Sequence, residues 1–204
     1  MKFYQVFSSL GSIIPIIFGI IFFNRHSDVI AKPFIFYLMF VLFLESLSLN
    51  LSFHSINNHF FYNCIDLITI VFFAFIFLKN GQNILGFISL AILFFTVYLT
   101  FSFNAFIFKQ NNYLAIYSFI GITSAIQLFN YTKKENENSH KKFRFWFLSG
   151  ILVATFPSIT MYVFFDKIKI VNGTNILVKY YTFFTFIIST LQNILFSKAF
   201  TCKK

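Results

Sequence analysis

Seven apolar runs, each about 20 residues long, follow one another along this 204-residue chain, and they decide which solvent it folds in. A bilayer core about 30 Å thick is crossed by roughly 20 residues of helix rising 1.5 Å each. The runs fall at 6–23, 33–53, 58–78, 83–103, 112–131, 144–165 and 175–197, bounded by clusters such as Asn24-Arg25-His26, Lys79-Asn80-Gly81 and Asn111-Asn112. They are apolar all round rather than striped, which suits membrane spans better than surface helices. The expectation is an all-α membrane protein: a seven-transmembrane-helix bundle forming a single transmembrane domain over residues 1–204, with no soluble domain.

Composition agrees. Hydrophobic residues make up 58% of the chain, charged residues only 11%, and mean hydropathy is +0.76. A soluble domain of this size carries about 25% charged residues. The 36 Phe against 7 Gly and 3 Pro read as AT-rich codon usage acting on positions that need only be apolar.

The net charge of +10 invites a nucleic-acid reading, but its placement favours topology. With the N-terminus outside, eleven Lys and Arg fall in cytoplasmic segments and five outside. The positive-inside rule therefore predicts N-out and C-in. The basic interval 132–143 is the longest loop expected; it sets topology, attracts anionic head groups and offers a surface to a protein partner. Nucleic acid is not an expected partner; the bilayer is. Lys2 ahead of the first run resembles a signal peptide, yet the run is long and lacks a small-residue cleavage pattern. Gly11, Pro15 and Gly19 recur at four-residue spacing in it, as on a packed helix face.

Polar groups inside spans are costly and mark candidate sites. Glu45 lies in the second run with Asn50 nearby. In the third, His59, Asn63 and Asp66 are spaced i, i+4, i+7 on one stripe that Thr69 continues. Lys179 lies about one turn into the seventh, ahead of Tyr180 and Tyr181. Under the predicted topology Glu45, Asn50, Asn63, Asp66 and Lys179 all occupy the outer half of the bundle, as a polar pocket open to the outside would. The plainer alternative has Lys179 snorkelling to the head groups and the carboxyl groups acting as hydrogen-bonding glue between helices. Gln127, Asn130, Gln192 and Asn193 on the cytoplasmic side read as interhelical packing groups. Gly121 with Ala125, and Gly150 with Ala154, are small pairs that let helices approach closely. Pro157 is expected to kink the sixth span.

No GxSxG, HExxH or Walker loop is present, and the cysteines Cys64 and Cys202 have no metal-type spacing, so no catalytic residue, metal or cofactor is expected. His54 and His59 flank one loop, and Asn172-Gly173-Thr174 is a formal glycosylation sequon.

The third run opens Phe60-Phe61-Tyr62-Asn63-Cys64-Ile65-Asp66, and the sixth opens Phe145-Trp146-Phe147-Leu148-Ser149-Gly150-Ile151-Leu152. With a Pro-containing first span, a Glu in the second and Asn193 near the end of the seventh, the chain resembles a group of small seven-helix membrane proteins of Bacteroidota. That group shows H-x-Y-T-x-I-E and F-W-I-x-x-G-x-L at these places. Here Phe60 and Asn63 replace the His and Thr. The resemblance implies a bacterial inner-membrane location and interest in Glu45 and Asp66, but no reaction. Microbial rhodopsins share the helix number, yet Lys179 lies only about 6 Å into its helix, too shallow for a retinal lysine.

The expected function is a sensor-like or interaction module. Next come a membrane subunit of a larger envelope complex and a proton- or cation-linked transporter or channel. An enzyme is not expected.

Overall fold

A chain in lipid must satisfy every backbone polar group internally, and the helix does so within one segment. The computed structural model describes residues 10–25, 28–54, 56–79, 83–103, 110–135, 142–172 and 175–202. Among these, all the regular structure is helical: α1 (Ile13–Ile21), α2 (Ala31–Phe53), α3 (His59–Lys79), α4 (Asn83–Phe103), α5 (Gln110–Glu135), α6 (Phe143–Asn172) and α7 (Asn175–Thr201), with a 3-10 turn at Phe23–Arg25.

Five of these helices (α2, α3, α5, α6 and α7) contain stretches long and apolar enough to cross a membrane. The described apolar part of α4, Ile84–Tyr98, is shorter. A helix stands within each expected run; α1 covers only part of 6–23, of which 6–9 lie outside the described residues, while several others overrun their apolar runs. The interval 132–143 is thereby shortened at both ends, since α5 continues to Glu135 and α6 begins at Phe143. Backbone hydrogen bonding, unlike hydropathy, does not stop where lipid stops. Helix α6 also runs on unbroken through Pro157.

The chain divides into two compact units. One is Pro33–Ile116. In it the Tyr37 ring of α2 stacks on Phe72 of α3, with centroids 4.4 Å apart and planes 11° from parallel. Phe34 joins the stack at 5.9 Å from Phe72. Helix α4 packs back on α3, so closely that a Cβ on Gly86 would lie 2.5 Å from Cδ2 of Leu78. Phe34, Ile70, Ile76, Phe77 and Ile116 are its most buried apolar side chains.

The second unit comprises Met1–Lys32 and Tyr117–Lys204. Here α6 packs against α7, and α1 lies on α7. A Cβ on Gly150 would lie 2.6 Å from Cε1 of Phe196, so α7 approaches α6 where a side chain is missing. Gly121 of α5 does the same against Thr155 of α6, at 3.0 Å from Oγ1. On α1, Pro15 and Gly19 are buried, and Gly11 just before it meets Asn193 of α7, so the row at four-residue spacing faces inward as expected. Lipid is as apolar as Leu, so helices in it associate through shape and dispersion rather than hydrophobic expulsion from water.

Hydroxyls in these helices mostly bond within their own segment. Ser46, Thr69, Ser89, Thr96, Thr123, Ser149, Thr155, Thr160, Thr190 and Ser197 each donate to the carbonyl four residues earlier, at 2.7–3.0 Å.

Candidate functional site

At 100° per residue, Asn63, Asp66 and Thr69 fall within one third of the circumference of α3. All three are buried, at 5%, 5% and 3% exposure, while His59 at the head of the stripe is exposed. The predicted stripe therefore turns inward from its second member on.

Helix α2 supplies the other wall. The Tyr37 hydroxyl lies 3.1 Å from Oγ1 of Thr69, which itself donates to the Ile65 carbonyl at 2.7 Å. A hydroxyl has one proton, and that of Thr69 is committed to Ile65. Tyr37 is therefore the donor, and the chain of bonds runs Tyr37 to Thr69 to Ile65. Glu45, two turns further along α2, is half-buried, and both Glu45 and Asp66 interact electrostatically with Tyr37. Near the end of α2, Ser48 is fully buried and takes the side-chain amide of Asn58 on its Oγ at 2.9 Å and on its carbonyl at 3.2 Å. This ties the α2–α3 connection back onto the helix. From Ser48 to Tyr37 the polar seam covers about 16 Å of α2, half of the hydrocarbon core.

Of the sequence candidates, Glu45, Asn63 and Asp66 belong to this α2–α3 unit, with Asn63 and Asp66 on its buried face. Asn50 is exposed near the end of α2, and the side chain of Lys179 lies outside the described residues. Tyr37 and Asn58 escaped the sequence reading. Tyr37, about one turn into the second run, reads in the sequence as one more interfacial aromatic, and only the fold shows its bond to Thr69. Asn58 lies outside any apolar run, and only the fold shows its reach to Ser48.

The second unit has its own polar contacts. Asp28 accepts from Nε of Arg144 at 2.8 Å, while its Oδ1 takes the Ile30 amide at 2.9 Å as α2 begins. Asn193 is buried against Gly11, and its Nδ2 finds no hydrogen-bond partner among the described residues; the same holds for Oγ of Ser124. Gln127 and Gln192 are half-buried and Asn130 is exposed. Among the described residues no three His, Cys, Asp or Glu gather as metal ligands, and His54 is exposed. Cys64 and Cys202 are free, half-buried thiols.

The arrangement can hold or orient a polar or cationic group beside two carboxyl groups, a phenol and an amide. Compared with protein-family models, curated proteins and solved structures, the chain finds no match in any of the three.

Proposed function

We propose that the chain is a sensor-like or interaction module of a membrane whose working part is the polar seam between α2 and α3. The observation that carries this reading is the burial of Asp66 and Asn63 on a membrane-length helix, beside the Tyr37–Thr69 hydrogen bond and within one unit with Glu45. A carboxylate at the centre of a spanning helix costs about 3 kcal/mol on insertion scales, so its retention calls for a use. The distribution of Lys and Arg supports a seven-span topology with N-terminus outside and C-terminus in the cytoplasm, which puts Glu45, Asn63 and Asp66 in the outer half and lets the seam cross the midplane to Tyr37. With the resemblance described above, it also favours the inner membrane of a bacterium. In this reading the chain catalyses no reaction of its own, and its output passes to a partner through helix faces or the 132–143 segment.

The Tyr37–Thr69–Ile65 chain of bonds, with carboxyl groups interacting with the phenol, favours proton-linked transport as the second reading.

The test is purification from native membranes in mild detergent, wild type beside the double variant Glu45→Gln and Asp66→Asn, with mass spectrometry of proteins and small molecules. The expected result is a stoichiometric companion that the variant loses. Identical recovery, with thermal stability also unchanged, would rule out a working seam. A pH gradient dissipated by wild type but not by the variant, in proteoliposomes, would select the transport reading.

A further inference from the structure

On the side of the α2–α3 pair opposite Asp66 runs an open groove of about 680 Å³. Ile68, Val71 and Phe75, which line it, stand roughly 140–200° around α3 from Asp66. Its walls are apolar apart from Tyr37, whose ring stacks on Phe72, another lining residue. Along α2 the groove extends from Pro33 to Phe43, about 15 Å or one leaflet of hydrocarbon.

A partner helix is a poor occupant. Close packing of helices in lipid relies on Gly, Ala, Ser and Thr, and none of these lines the groove. Aromatic rings and Met39 instead leave an irregular channel that a flexible hydrocarbon chain can follow. At the Phe75 end stands Lys79, exposed in the last turn of α3, its Nζ 5.9 Å from the centre of the Phe75 ring. A cation at the mouth of a leaflet-deep apolar channel matches an amphiphile with a negative head and a long tail.

We propose that this groove binds one acyl chain of an anionic phospholipid, with Lys79 holding the phosphate. The site rests on the groove and stands apart from the polar seam, although Tyr37 borders both.

The experiment places the full chain in nanodiscs of phosphatidylcholine containing a minor fraction of phosphatidylglycerol that carries a photoactivatable acyl chain, followed by irradiation and peptide mapping. Labelling is expected to concentrate on Met39, Phe43 and Phe75. It should fall about fivefold in Lys79→Gln, the loss expected for one surface cation. Val71→Trp, which fills the groove from within, should abolish the concentration while leaving the protein monodisperse. A phosphatidylcholine probe with the same acyl chain should show no preference. Labelling spread equally over the exposed Phe87 and Phe94 of α4, no response to Lys79→Gln, or cross-links from the groove to a second copy would each overturn the assignment.

Discussion

Nε of Arg144 donates to Oδ2 of Asp28 at 2.8 Å across 116 positions of chain, while Oδ1 of the same carboxylate accepts from the Ile30 amide at 2.9 Å. One side chain therefore carries two roles that substitution can separate. Asp28→Asn keeps an acceptor for the amide but loses the ion pair, and Asp28→Ala loses both. The pair is partly exposed, at 35% for Arg144 and 17% for Asp28, so screening holds its worth to about 0.5 kcal/mol. The carboxylate–amide hydrogen bond, an Asx turn just ahead of α2, adds about 1 kcal/mol. Thermal unfolding in detergent should rank Asp28→Ala well below Asp28→Asn, with Arg144→Gln close to the latter; equal losses for both Asp28 variants would refute the role of the Asx turn.

Gly150 faces Phe196 where a methyl group has no room. Gly150→Ala should destabilise α6–α7 packing by about 1–3 kcal/mol, the usual cost of overpacking. Phe196→Leu in the same molecule should restore part of it. Additive losses in the double variant would show that the two residues do not press on each other.

Direction matters in the Tyr37–Thr69 hydrogen bond. Tyr37→Phe removes a donor and leaves Thr69 bonded to Ile65, so the cost should be about 0.6 kcal/mol, typical between membrane helices. Thr69→Val strands the buried Tyr37 hydroxyl and should cost about 1–3 kcal/mol. Reversal of that order in unfolding titrations would mean that Thr69 is the donor.

Burial pushes the Cys202 thiol above its ordinary range, and Lys198, one turn earlier, draws it partly back. Because the thiolate is the nucleophile, alkylation of folded protein near neutral pH should be slower than that of the denatured chain, and Lys198→Ala should slow it further. A folded pKa raised above the unfolded one means this thiol supports the fold below the unfolded pKa, and the support fades as pH rises through the folded value. Alkylation as fast in the folded as in the denatured protein would contradict the burial effect.

The helices were legible because hydropathy counts residues against a fixed bilayer thickness, and the α3 stripe because Asn63, Asp66 and Thr69 share one helix. Gly11, Gly121 and Gly150 announced close approach, but not that Asn193, Thr155 and Phe196 would meet them. Contacts across long separations were out of reach. Arg144 entered the sequence reading as one positive charge among sixteen, with nothing to point at Asp28. Asn50 looked equivalent to Asn63 in composition, but its position near the end of α2 leaves it exposed whereas Asn63 is buried. The apolar groove left no trace in the sequence, since Phe and Met at its walls read like Phe and Met anywhere in a span.

The serine and threonine hydroxyls that bond to their own helix carry a consequence for biogenesis. Each segment can leave the translocon with those groups already satisfied, so insertion need not wait for neighbours to arrive. Late assembly then depends on the few groups that bond across elements, the Tyr37 hydroxyl to Thr69 and the Asn58 amide to Ser48 foremost. Substitutions there should spare the amount of protein inserted yet lower the amount that survives quality control.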